Sequence, residues 1–545
     1  MTARLIALPA RRAPLAGHGW PPAVILLPGL LVGALCAIPP VYLLVRAGQS
    51  PEAAWEAVAA GSTLGLALRT AAFAAGATVI AGAIALPLAW LTTRTDLPGR
   101  RVLGILAALP LAVPSYIAAM LAVSAFGPTG LLQDVLAPLG VERLPSIYGY
   151  PGATLVLALF TYPYLLLTLR PALLGLDPSL EETSRSLGYG RWTTFRRVVL
   201  PQLRPSLAAG GLLVALYAIS DFGAVALLRY DTLTRALFVR YESGFDFSGA
   251  SALALVLIGI AFTLIALELW ARGERRYHGI RGGSRPASVA PLGRWRWPAF
   301  GLALGLLALV LALPLALLGF WLVRGLAAGE ALQGVGAAVL DSLTASGLAA
   351  LVAAAAAIPV AVLSARHRRF ALTQPIELLS HSGFALPGLV VALALVFAAL
   401  HGESFAGGLF GGWLYQSLGL LVAAYALLFL PQALGATRAS LLQISPSMEE
   451  AASGLGRRPW QVLGSITLPL ASRGIAVGMA LVFLTTMKEL PATLILSPIG
   501  FQPLAAQVWG AASEAFFARA ALPALLLVVL SALPLALLTL WRRDA

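Results

Sequence analysis

Twelve apolar intervals, each close to the roughly 20 residues a helix needs to cross a bilayer, constrain this chain more than any other feature. They lie within 22–45, 70–93, 102–126, 149–169, 205–228, 247–267, 297–323, 342–365, 378–400, 416–437, 474–496 and 520–541. In hydrocarbon every backbone polar group must be satisfied inside its own segment, so intervals of this length predict helices. The fold class is therefore an all-α polytopic membrane protein of about twelve transmembrane helices, with the lipid bilayer as its first partner. Only 11% of the 545 residues are charged, against about 25% in soluble domains. A balance of 37 basic to 23 acidic residues would suggest nucleic acid in a soluble protein. Here it is read as arginines anchoring loops, with no nucleic-acid partner. The single cysteine, Cys36, excludes a disulfide framework.

Arginines in short loops set the expected orientation, because basic residues stay on the cytoplasmic side. Arg4, Arg11 and Arg12 precede the first interval; Arg94, Arg100 and Arg101 follow the second, and Arg185, Arg191, Arg196, Arg197 and Arg204 follow the fourth. Residues 272–296 carry seven Arg against one Glu, and Arg366, Arg368 and Arg369 follow the eighth interval. Both termini are thus expected in the cytoplasm, with Arg229, Arg235 and Arg240 after the fifth interval as the main dissent. Arg11 and Arg12 ahead of an apolar run could mark a secretory signal. The run is too long for that and lacks a small-x-small cleavage site, so it reads as the first span.

The chain also repeats itself. Residues 170–201 align without gaps to residues 438–469 at a constant offset of 268. Arg170/Arg438, Pro178/Pro446, Ser179/Ser447, Glu181/Glu449, Glu182/Glu450, Leu187/Leu455, Gly188/Gly456, Trp192/Trp460, Leu200/Leu468 and Pro201/Pro469 are among the identical pairs. The offset is close to half the chain, which predicts two parallel six-span repeats, 1–271 and 297–545, joined by the arginine-rich linker 272–296. Lipid-facing helices can stay similar through composition alone, but a polar loop cannot. In each copy Pro-Ser before a Glu-Glu pair reads as a helix start with carboxylates in its first turn. A glycine six residues beyond the second Glu ends that helix, and a second one runs to Leu-Pro. Two short helices joined at a glycine form a knob suited to docking.

Glu450-Ala451-Ala452, Gly456 and Ile466-Thr467-Leu468-Pro469 resemble the E-A-A-x-x-x-G, nine residues, I-x-L-P signature of membrane subunits of binding-protein-dependent ABC importers. The first copy keeps Glu182, Gly188, Leu200 and Pro201, with Val198 for Ile and Thr183 and Ser184 for the alanines. The resemblance implies a type I ABC importer permease fold and makes 178–201 and 446–469 coupling loops that dock on two copies of a cytoplasmic ABC ATPase. Its coupling residues are Glu181, Glu182, Gly188, Leu200, Pro201, Glu449, Glu450, Ala451, Ala452, Gly456, Leu468 and Pro469. A periplasmic or lipid-anchored solute-binding protein would deliver the cargo, and a bacterial inner membrane is implied. Lys488 is the only lysine and has no P-loop around it, so the chain is read as a transport subunit and not an enzyme. It is expected to bind no cofactor itself, with ATP and Mg on partner subunits. The five histidines are scattered and form no H-E-x-x-H cluster; no catalytic residue is assigned, and metal ligands stay open.

Segments 94–101, 110–116, 220–225, 228–232 and 488–494 are similar to those of fused ferric-iron permeases, which implies ferric iron as cargo. Permeases for thiamine, polyamines, phosphonates and sulfate share the architecture, so these cargoes stay as alternatives. A secondary transporter of two six-span halves is a further one, favoured by Asp96-Leu97-Pro98-Gly99-Arg100-Arg101 but lacking that turn in its second half. Asp221 in the fifth interval and Lys488 and Glu489 in the eleventh are charges at membrane depth, and the offset of 268 pairs Asp221 with Glu489. Such groups face a cavity or a partner and not lipid. All three are candidates for a translocation pathway or gate.

Overall fold

The computed structural model describes residues 20–49, 51–128, 130–244, 247–272, 289–330, 334–384, 386–405 and 414–541. Arg4, Arg11, Arg12 and most of the 272–296 linker lie outside them. Among the described residues the chain is helical, with one isolated bridge, Thr95 to Ala290, and no strand. Among the described residues, eleven helical segments are long and apolar enough to cross a membrane: Ala23–Arg46, Gly61–Arg94, Ser115–Leu139, Tyr150–Leu174, Arg191–Ser220, Gly249–Glu268, Gly293–Ala327, Val335–Arg366, Leu418–Leu441, Pro459–Thr486 and Phe517–Pro534. A shorter apolar helix, Gly388–Leu400, stands where the sequence places the ninth. The protein is a multi-pass membrane protein.

The third and ninth intervals are broken, where the sequence suggests continuous spans. In the third, Arg100–Leu106 gives way to a 3₁₀ turn, Leu109–Ala112, before Ser115–Phe126 begins. The ninth runs as Thr373–Ser380, Ser382–Phe384 and Gly388–Phe405. Proline is the cause in both. Pro114 forces Val113 into extended backbone (φ −82°, ψ 118°), and Pro387 precedes the restart in the second half. Non-helical backbone is tolerated at membrane depth only inside the protein, and Ile117 to Met120 and Val390 to Ala392 beside the breaks are accordingly buried.

Each half is built on a close helix pair. Ala74, Ala77, Ala81 and Ala85 on the second span and Ala345, Ala349, Ala353 and Ala357 on the eighth are buried in stripes three to four residues apart. Side chains this small let the fourth and tenth spans lie alongside. The first helix of each half packs on the other half. Ile25, Val32 and Cys36 of Ala23–Arg46 share a core with Val360, Leu363 and Ile376. Ala303, Leu307 and Val310 join the first half's core, with Leu527 of the last span. This exchange holds the halves face to face around the junction between them. The described end of the linker is strapped to the loop after the second span, where the Ala290 amide donates to the Arg94 carbonyl (2.8 Å) and the Leu292 amide to Asp96 (2.9 Å).

Candidate functional site

The two polar knobs form as their residues dictate. Asp177 caps the helix Pro178–Ser186, its carboxylate accepting from the Ser179 amide at 2.9 Å. That bond holds its carboxyl below the usual carboxylate range. Proline occupies the first helical position in both copies, where its missing N–H costs nothing. Both helices end on a left-handed glycine, Gly188 at φ +85° and Gly456 at φ +82°. In the first copy the Gly188 amide donates to Arg185 (2.9 Å) and the Tyr189 amide to Ser184 (3.2 Å). In the second, Gly456 donates to Ser453 (3.0 Å) and Arg457 to Ala452 (3.2 Å). The orphan carbonyls of the last turn are thus satisfied in the same way twice.

Beyond the glycine the second short helices, Arg191–Thr194 and Pro459–Val462, run through a π-helical turn, Phe195–Val199 and Leu463–Thr467, into the fifth and eleventh spans. Pro201 and Pro469 explain the widened turn, since each lacks an N–H and its ring crowds the carbonyl four residues back. Leu200, Leu468 and Pro201 are half-buried at this root, and Pro469 is exposed.

The sequence-assigned residues of the knobs separate into two groups. Glu182, Gly188, Glu450, Ala451 and Gly456 are exposed, whereas Glu181 and Ala452 are buried and Glu449 half-buried. Glu181 and Glu449 point inward to arginines. Arg94, the last residue of the second span and 1% exposed, lies 3.3 Å from Glu181 and donates from Nε to the Leu173 carbonyl at 2.9 Å. Arg366, the last residue of the eighth span, donates to Glu449 at 2.9 Å and to the carbonyls of Leu441 (3.2 Å) and Ile444 (3.1 Å). Thr467 adds a bond to Glu449 at 3.0 Å.

Sequence reasoning treats Arg94 and Arg366 as orientation markers and misses this role. The available signal was their identical placement at the end of an apolar run in each half. Also unassigned from sequence, four apolar side chains crown the knobs: Leu187 and Trp192 are 71% and 72% exposed, Leu455 and Trp460 85% and 56%. Each pair is related by the offset of 268. Exposed apolar groups rimmed by charge mark an interaction surface.

At the far end of the fifth span, about 30 Å from its Leu-Pro root at 1.5 Å per residue, lies the second constellation. Asp221 and Glu489 are not inside their spans, as the sequence suggests; the helices stop at Ser220 and Thr486. Short helices, Gly223–Leu227 and Pro491–Leu496, start just beyond, and the acids cap them. Asp221 accepts from the Ala224 amide at 3.0 Å and Glu489 from the Ala492 amide at 3.3 Å, again one pair related by 268. Gly223 and Pro491 begin these helices. The other carboxylate oxygen of Asp221 accepts from the Ser115 hydroxyl, while a Cβ on Gly388 would collide with Glu489. Ser115 and Gly388 each follow the proline that breaks its span. The longer acid therefore stands where the partner has no side chain.

Lys488 reaches across the halves to the Leu111 carbonyl at 2.7 Å. Two small cavities flank the junction, one lined by Leu111, Ser115, Tyr164, Tyr217 and Lys488, the other by Ser342, Ser346, Tyr425, Glu489 and Thr493. At about 10 Å³ each, they have room for a single water. A larger cavity of about 300 Å³ opens between the halves and is lined by Phe222, Phe238, Trp509, Arg229 and Arg235. Phe222, next to Asp221, closes its floor against Phe238 and Trp509, with ring centroids at 4.4 and 5.1 Å. Among the described residues no group of three or more His, Cys, Asp or Glu is placed to hold a metal ion.

Comparison with known proteins agrees with this two-fold construction. The family described as binding-protein-dependent transport system inner membrane component matches twice, over residues 81–276 and 357–543. The chain is 34% identical over 470 residues to the Fe(3+)-transport system permease protein FbpB 2 of Haemophilus influenzae, covering 84% of this chain and 87% of the relative. It is 32% identical over 195 residues to the sulfate transport system permease protein CysT of Escherichia coli, covering 35% of this chain and 69% of the relative. A probable molybdenum ABC transporter permease protein of Haloferax volcanii is 36% identical over 251 residues, 46% of this chain and 89% of the relative.

Proposed function

Because this chain belongs to the family of inner membrane components of binding-protein-dependent transport systems, we propose that its two knobs are the docking points of an ATPase pair and that its cargo is ferric iron. The chain is an ABC-type permease subunit and not an enzyme; hydrolysis is the work of partner ATPases. The observation that carries the docking proposal is the duplicated knob. Each half presents a left-handed glycine turn under one exposed leucine and one exposed tryptophan, at identical spacing. One such surface per half suits one ATPase subunit per half. Burial of aromatic anchors supplies most of the binding energy at interfaces of this kind.

On this reading the knob face is cytoplasmic, the membrane is a bacterial inner membrane, and a separate receptor delivers cargo to the opposite face, at the 300 Å³ cavity. ATP and Mg belong to the ATPases, and the permease holds no cofactor. The division into repeats 1–271 and 297–545 with a linker between them belongs to the same proposal. Ferric iron is supported by a relative that matches across both halves, FbpB 2, whereas the sulfate and molybdenum relatives named above align to less than half of this chain. Asp221 and Glu489 offer hard oxygen atoms at the junction, as a hard cation requires. A second reading is favoured by Lys488 at the junction and Arg229 and Arg235 at the outer cavity: positive charge along the same route suits an oxyanion.

Uptake of labelled ferric iron and labelled sulfate, by cells with and without this protein and lacking other systems for either, decides between them. Loss of iron uptake alone supports the first reading. Loss of sulfate uptake alone transfers the cargo to the second, and loss of neither removes both.

A further inference from the structure

Glu181 and Glu449 stand in the first turn of their knob helices, where a docking carboxylate belongs, yet both are turned away from the exposed face and held by arginines. The two arrangements correspond in their partners: Arg94 donates from Nε to the Leu173 carbonyl and pairs with Glu181 through a terminal nitrogen, whereas Arg366 donates from Nε to Glu449 and from a terminal nitrogen to the Leu441 carbonyl. Leu173 and Leu441, whose carbonyls accept from Arg94 and Arg366, are related by the offset of 268, as are the glutamates. The arginines are not: Arg94 and Arg366 differ by 272. Four residues, about one helical turn, separate the two registers, and the same three-way junction forms nonetheless. A clamp that survives a change of register is a constraint in its own right.

Each guanidinium joins three elements: the end of the span it terminates, the last carbonyls of the span alongside, and the knob helix. An arginine suits this because its planar fork donates in several directions at once and keeps its charge when buried. Withdrawal from water stiffens the junction, fully at Arg94 and Glu181 and partly at the half-buried Arg366 and Glu449, since a charge withdrawn from water cannot leave its partner without losing compensation. We propose that Arg94 and Arg366 are positioning residues that weld each knob to the ends of the second and fourth spans of its half. Displacement of a knob then moves those spans and is not absorbed by bending at the knob's root. This inference rests on the docking reading for its purpose, but the weld itself is a property of the permease alone.

The test uses Glu181→Gln with Glu449→Gln, which keep shape and remove the charge, and Arg94→Met with Glu181→Gln, which leaves no buried charge unpaired. Nitroxide labels at Leu187→Cys and Leu167→Cys, both exposed sites, in a Cys36→Ser background report the distance from the first knob to the fourth span without any ATPase present. In proteoliposomes of the permease–ATPase complex, association, ATP hydrolysis and labelled ferric-iron uptake are measured on the same preparations. The weld predicts a narrow label distance in the parent and a broad one in the variants. It also predicts unchanged association and an iron-to-ATP ratio lower by about tenfold, within the usual range of coupling between sites. Weakened association in the Gln variants would show that these glutamates touch the ATPase and would overturn the proposal. So would unchanged label distances, or broad distances with a normal iron-to-ATP ratio. If the parent permease binds no ATPase, the docking reading fails, while the label measurement still decides the weld.

Discussion

Replacing Gly188 and Gly456 by valine isolates what the knob turns need. Both glycines have φ above +80°, and a Cβ built on either meets nothing within 4 Å. Any penalty inside the permease is therefore conformational and not steric crowding. An L-residue in the left-handed region loses about 1–2 kcal/mol, and a β-branched one sits at the upper end of that range. If the turn opens instead, its two hydrogen bonds are lost, at about 0.5–1.5 kcal/mol each. The cheaper of the two sets the penalty, so the closed turn is disfavoured by about 1–2 kcal/mol, a shift of roughly fivefold to thirtyfold in its population. A nine-residue helix has little intrinsic stability to absorb that. The assays are hydrogen exchange at the Tyr189 and Arg457 amides, which should quicken, and co-purification with the ATPase, which should fail while membrane insertion persists. Asparagine, which tolerates the left-handed region, should restore both. Full association and transport by the double valine variant would refute this reasoning. Failure of asparagine alongside normal exchange would move the cause to close approach of the ATPase.

Trp192→Ala with Trp460→Ala should leave the permease folded, because both rings are largely exposed, and weaken ATPase association by about 2 kcal/mol or more per anchor, read as the dissociation constant of the purified complex. Asp221→Asn with Glu489→Gln keeps an acceptor for the Ala224 and Ala492 amides, so thermal unfolding should change little. Ferric-iron uptake should be lost if the charges serve the cargo; normal uptake would reduce the acids to caps. Gly388→Ser should destabilise the second half by about 1–3 kcal/mol through overpacking against Glu489, measured as a lower unfolding temperature. Adding Glu489→Asp should relieve it, and the absence of relief would refute the size argument.

The spans were legible because hydrocarbon leaves a chain few choices, and long apolar runs between arginines report them directly. Their interruptions were harder to read. Nothing charged marks the break at 107–114, and only Pro110 and Pro114 signal it. Prolines also lie inside continuous helices of this protein, such as Pro87 and Pro163, so proline alone does not announce a break. Asp221 and Glu489 were visible as charges at depth, but their role as caps depends on where the helix stops. Gly223 and Pro491 carried that information: a proline at the first turn starts a helix as readily as it disturbs one. Arg94 was hidden for another reason. A loop arginine and a buried arginine at the end of a span look alike in sequence, and only the fold brings Glu181, 87 residues away, beneath it.

What the two halves share is geometry more than residues. Ser115 with Asp221 in one half becomes Gly388 with Glu489 in the other: the hydroxymethyl group lost on one side of the contact is offset by a methylene gained on the other, and the amide three residues beyond the acid is capped in both. Arg94 and Arg366 reach the same carbonyl and the same glutamate from registers one turn apart. Independent drift of two copies would break such contacts singly, since an unpaired buried charge or a collision costs several kcal/mol wherever it occurs. Paired change preserves them at the capped junction and at the arginine clamp. They lie at opposite ends of the route from knob to junction.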